Sequence, residues 1–144
     1  MPMNLRQIMQ RTPTLRKERA QYVKLTKMKY GHWQTGPDKG NAYVACSSYS
    51  TATVDAQGHI VPNRVQQRYV TVFTFIDEKL NVKASCSCGD MTYRWEWALW
   101  NRGAADIEYS DGSSPDETNP TYRPAFCKHG VALFERIKDK LPRV

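Results

Sequence analysis

The sharpest pattern of apolar and polar positions lies in residues 82–88, where Val82, Ala84, Cys86 and Cys88 fall on one face and Lys83, Ser85 and Ser87 on the other. A period of two predicts a strand with one face turned to a core. Residues 67–76 carry Tyr69, Val70, Val72, Phe73, Phe75 and Ile76, apolar on both faces, and predict a strand placed centrally in its sheet. The segment Asp77-Glu78-Lys79-Leu80-Asn81 turns the chain between them, and residues 43–54 predict an earlier strand ending at the turn Asp55-Ala56-Gln57-Gly58. Periodicity changes to that of a helix in residues 127–141. There Val131, Phe134, Ile137 and Leu141 form one apolar stripe, with Pro124 before it and Pro142 as its stop. At the other end, Thr12-Pro13 is placed as a cap and first helical residue, and Leu15, Arg19, Tyr22 and Val23 with Thr26 give a thin stripe. A helix is expected there, one that must lean on something else for stability. Residues 31–42, with three Gly and one Pro, read as a loop. The elements add up to an α+β fold, a small antiparallel sheet of three to four strands packed on a C-terminal helix.

Charge divides the chain further. The 144 residues carry a net charge of +7, and residues 1–30 supply all of it, with eight Lys/Arg against the single acid Glu18. The remaining 114 residues balance to zero. The expected organisation is a basic N-terminal arm or helix over 1–30 and one domain over 31–144. Within that domain residues 89–126 form an irregular insert with seven acids, three arginines and three of the four Trp. Arg6, Arg11, Arg16, Lys17, Arg19, Lys24, Lys27 and Lys29 are the candidate contacts of the arm, with phosphates or with an acidic protein surface; the bland reading is a solvated helix face. No stretch approaches the roughly 18 apolar residues of a membrane span, and no secretion leader is visible, so an intracellular, reducing setting is expected, with no membrane partner and no small-molecule substrate.

Four side chains suit a metal: Cys86 and Cys88 in C-S-C, and Cys127 and His129 in C-K-H. The first two share the core face of a strand, and the second pair opens a helix, whose free N–H groups and dipole favour thiolate. Three cysteines and one histidine make a tetrahedral zinc shell with no open position, hence a structural Zn2+ rather than a catalytic one. Buried cysteines acting as small hydrophobes are the competing reading, and it is the one preferred for Cys46 on the first strand. Tyr93, Trp95 and Trp97 are read as the core of the insert, with a base-stacking or protein-binding surface as the alternative.

Cys86-Ser87-Cys88, followed by Phe126-Cys127-Lys128-His129-Gly130-Val131-Ala132-Leu133, resembles the SWIM zinc finger, whose pattern is Cys-x-Cys, a spacer, and Cys-x-His opening an apolar helix. The resemblance covers residues 67–88 and 126–141. It implies a β-β-α zinc module with Cys86, Cys88, Cys127 and His129 as ligands, of a kind associated with binding nucleic acid or protein. The insert, from Tyr93-Arg94-Trp95-Glu96-Trp97 to Pro124-Ala125-Phe126-Cys127-Lys128-His129, resembles SWIM-like proteins of tailed bacteriophages, which implies a viral protein and a virion location. No zinc deaminase, H-E-x-x-H, P-loop, G-x-S-x-G or G-x-G-x-x-G string occurs, so no enzyme is expected. Two functions remain. One is a zinc-stabilised interaction subunit of a larger assembly, such as a phage virion or tail; the other is a nucleic-acid-binding accessory protein working through the basic arm.

Overall fold

The computed structural model describes residues 3–63 and 66–142. Four antiparallel strands form the main sheet in the order β1 (Val23–His32), β2 (Ala42–Ser50), β5 (Tyr69–Phe75) and β6 (Val82–Cys86). A small hairpin of β3 (Ala52–Val54) and β4 (Ile60–Pro62) lies beside it. The helices are α1 (Leu5–Arg11), α2 (Thr14–Ala20), α3 (Glu96–Trp100), which continues a π-helical turn at Met91–Trp95, and α4 (Lys128–Ile137). Among the described residues no helix is long and apolar enough to cross a membrane.

The alternation of residues 82–88 does what its pattern requires. Val82, Ala84, Cys86 and Cys88 are buried while Lys83 and Ser85 are not, and β5 stands between β2 and β6. Phe73 on β5 meets Phe126 with ring centroids 5.1 Å apart, the contact that seats the start of α4 on the sheet. Val131, Leu133, Phe134 and Ile137 of α4 complete that core from the other side. Gly130 leaves room for the Phe126 side chain, because a Cβ there would lie 3.0 Å from the Phe126 Cβ.

The basic N-terminal segment departs from expectation. It is not one helix over 12–30, nor an arm. Residues 3–20 form two short helices within the fold, and Val23–His32 is the edge strand, paired with β2 along its length. The expected stripe crosses two elements, with Leu15 in α2, Val23 in β1 and Thr26 at a register slip between Leu25 and Lys27, and it is Leu25 and Met28 that pack against the core. Leu5 and Ile8 of α1 are fully buried in the same core as Val82 and Phe126. Flanking main-chain bonds, Leu5 N to the Leu80 carbonyl and Val82 N to the Met3 carbonyl, both 2.9 Å, tie the N-terminus to the outer edge of β6. The insert is also more regular than expected, since its first part is helical through Trp100.

Candidate metal centre

Cys86 ends β6, Cys88 lies two residues beyond, Cys127 caps α4, and His129 sits in the first turn of α4. Strand alternation aims the first two sulfurs at the helix layer, and the Phe73–Phe126 contact holds the helix start against them. The structure brings all four together. Their ligand atoms lie within 4.8 Å of one another and every one of the residues is buried. A tetrahedral shell with metal–sulfur bonds of about 2.3 Å sets sulfurs roughly 3.8 Å apart, so the cluster has the dimensions of such a shell.

The chemistry of the group suits a cation. Both ring nitrogens of His129 are buried with no hydrogen-bond partner, although a buried imidazole ordinarily satisfies at least one. Cys86 Sγ accepts from the Cys127 and Cys88 thiols and from Thr71 Oγ1, which hold its pKa well below the ordinary thiol value. Its neighbour Cys127, donating to Cys86 and Cys88 and deprived of water, is pushed well above that value. Cys86 and Cys127 are thus driven in opposite directions within one dry cluster. A dication bound among the three thiols would let all three ionise and would take up a His129 nitrogen. The residues present fit a metal.

The surroundings reinforce the site. Met91 N donates to Cys88 Sγ at 3.4 Å, and the Tyr69 ring lies 5.0 Å from the His129 ring. Three thiolates around a dication would leave one negative charge, and Lys128, next to Cys127 and His129, is half-buried. Burial, with the nearby Arg19, lowers the pKa of Lys128, while the sulfurs act against that shift. Cys46 is buried on β2, outside the cluster, where burial pushes its thiol pKa up.

Two further contacts, absent from the sequence reading, clamp both halves of the site to the N-terminal helices. Arg16 forms a paired contact with Asp90, Nη2 to Oδ1 at 2.7 Å and Nε to Oδ2 at 3.1 Å, just beyond the Cys-x-Cys turn. Burial opposes ionisation of Asp90, but hydrogen bonds from Arg16 and Trp95 Nε1, with the charges of Arg16 and Arg94, outweigh it and lower its pKa. On the other side, Thr12 Oγ1 accepts from Phe126 N at 3.0 Å and donates to the Ile8 carbonyl at 2.9 Å. Within the insert, the fully buried Glu96 carboxylate accepts from the backbone N–H groups of Glu108, Tyr109 and Ser110 at 2.9–3.2 Å, folding the acidic loop onto α3.

These contacts revise the eight basic candidates. Arg16, 8% exposed, is committed to Asp90; Arg19 donates to the Val54 carbonyl and Arg6 to that of Pro142. Arg11 is exposed and Lys17 half-buried on the helical side, whereas Lys24, Lys27 and Lys29 stand exposed on β1. The aromatics of the insert divide as well. Trp95 is buried, Trp97 packs on Trp100 and Tyr122, and Tyr93 is exposed.

A family model of the SWIM zinc finger matches residues 72–95. The match takes in most of β5, all of β6, Cys86, Cys88 and the helical turn after them; Cys127 and His129 lie beyond it and join the site through the fold. No curated protein and no solved structure matches the chain.

Proposed function

We propose that the cluster holds one structural Zn2+ and that the chain is a non-enzymatic binding subunit of a larger assembly. The carrying observation is the closed, fully buried Cys3His set, in which the protein supplies four ligands and both His129 nitrogens lack any other partner. Bound there, zinc would cross-link strand to helix and balance the thiolate charge. Cys86 and Cys88 hold the sheet side, Cys127 and His129 the helix side, and Lys128 lies against the resulting negative charge. A bacteriophage virion or tail is the assembly we favour, on the resemblance of the insert to SWIM-like phage proteins. The test is sedimentation of particles from the native source. The wild-type chain should travel with them in fixed stoichiometry and the zinc-binding variant Cys127→Ala should not; a wild-type chain found only in the free protein fraction overturns the reading.

One observation favours nucleic-acid binding as a second reading. The basic charge of the N-terminal segment that remains exposed includes three lysines in one strand, Lys24, Lys27 and Lys29, rather than being dispersed. It predicts affinity for nucleic acid that falls steeply with salt.

A further inference from the structure

Among the described residues the helices pack against one face of the main sheet. Register defines the other face row by row. Lys24 of β1 stands opposite Tyr49 of β2, and Arg68, just before β5, extends the row, its guanidinium 5.2 Å over the Tyr49 ring. At the far end Tyr43 of β2 lies flat across Gly31, where a Cβ would come within 3.0 Å of its hydroxyl. Trp33 stacks on Tyr43 at 4.3 Å and is fixed by a bond from Nε1 to Thr74 Oγ1. Between these aromatic ledges the floor is small: Ser47 and Ala45 on β2, Val70 and Val72 on β5, Ser85 on β6. Val70 is 45% exposed. From one ledge to the other is three steps of two residues, about 20 Å.

Charge lies along one side of this trough. Lys24, Lys27 and Lys29 project from β1 at successive rows, roughly 7 Å apart, a spacing comparable to that of successive phosphates in an extended single strand. Acids gather on the side away from the lysines at the Trp33 end, where Asp38 and Asp106 contact Lys83 and Glu108 lines the same hollow as Val72 and Ser85. A flat floor of small residues, stacking surfaces at both ends and a column of ammonium groups along one edge form the combination that binds unpaired bases and their backbone together. A duplex keeps its base faces stacked inside and cannot use the ledges. An acidic peptide would engage the lysines but not the aromatic ends.

We infer that the open face of the sheet is a platform for single-stranded nucleic acid, its backbone along Lys24, Lys27 and Lys29 and its bases over the floor between Tyr49 and Trp33. The inference rests on the nucleic-acid reading above and assigns it a surface and a ligand class. The ledge at Tyr49 is a stacked cation and ring, onto which a base can add.

Fluorescence anisotropy with the full zinc-loaded chain and a labelled twelve-nucleotide single strand tests it, with a duplex of the same length and polyglutamate as comparison ligands. The wild-type chain should bind the single strand best, with a slope of log affinity against log salt of about −2 to −3 for three or four phosphate contacts. Lys27→Ala with Lys29→Ala should reduce that slope by about 1.4, and Tyr49→Ala should weaken binding about tenfold. Arg11→Ala with Lys17→Ala, on the helical side, should leave both quantities unchanged. Undiminished binding by the sheet variants, with loss in the helical-side variant, overturns the platform and leaves the nucleic-acid reading standing. Absence of single-strand binding at low salt overturns both. Preference for the duplex overturns the platform, and preference for polyglutamate overturns it in favour of an acidic protein partner.

Discussion

Residues 3–20 and Val23–His32 carry the same kind of charge and meet opposite fates. The first stretch buries Leu5 and Ile8 completely, spends Arg16 on Asp90 and Thr12 on the backbone of Phe126, and so braces the two halves of the metal centre. The second lies at the sheet edge and leaves Lys24, Lys27 and Lys29 in solvent. Net charge does not separate them. What separates them is whether a neighbouring element offers a partner: an arginine beside a half-buried carboxylate becomes structure, and a lysine on an uncovered strand remains free to meet another molecule.

That contrast orders the expected effects of mutation. The largest belongs to the centre that the first stretch braces. Cys127→Ala should remove the metal and with it on the order of 10 kcal/mol of folding free energy, read as lost zinc stoichiometry and a non-cooperative thermal melt. Next comes the brace. Arg16→Ala leaves Asp90 without its paired donor and should lower stability by about 3 kcal/mol in urea unfolding; a change under about 0.5 kcal/mol would mean that residues 3–20 merely lie against the site. Thr12→Val strands the Phe126 N–H beside Cys127 and should cost about 1–2 kcal/mol in the same measurement.

A smaller effect depends on pH. The folded-state pKa of Asp90 is lowered, so its contribution is fully present above the unfolded value of about 4 and is lost as pH falls through the lower folded value. The stability gap between wild type and Asp90→Asn should therefore be constant from neutral pH down to about 4 and close below it. A gap that widens on acidification would contradict the assigned ion pair. The smallest effect falls on the second stretch, where Lys27→Ala and Lys29→Ala should each change stability by less than about 0.5 kcal/mol. Their consequences should appear in binding alone, which is the sharpest form of the contrast.

The four candidate ligands could be read from the chain because local geometry fixes them in pairs. Alternation puts Cys86 and Cys88 on one face, and a helix start gathers Cys127 and His129. The brace could not, since Arg16 and Asp90 are 74 residues apart and Thr12 and Phe126 are 114 apart, and no local pattern marks either pair. The strand β1 was hidden because Val23 and Thr26 continue the spacing of Leu15 and Tyr22, although Thr26 is the extra residue at a register slip in the strand. In the insert, Tyr93, Trp95 and Trp97 suggest alternation, yet the buried residues Trp95, Ala98 and Leu99 follow a helical spacing. Glu96 is the harder case. A carboxylate among tryptophans looks like a surface charge until the loop N–H groups of Glu108, Tyr109 and Ser110 close over it.

Metal analysis of untagged chain, paired with a thermal melt before and after removal of the metal by a chelator, addresses the cluster on which the fold and its proposed role depend. One zinc per chain, with cooperative unfolding that disappears on chelation and returns when zinc is restored, is the expected result. A metal-free chain that melts cooperatively at the same temperature would contradict it.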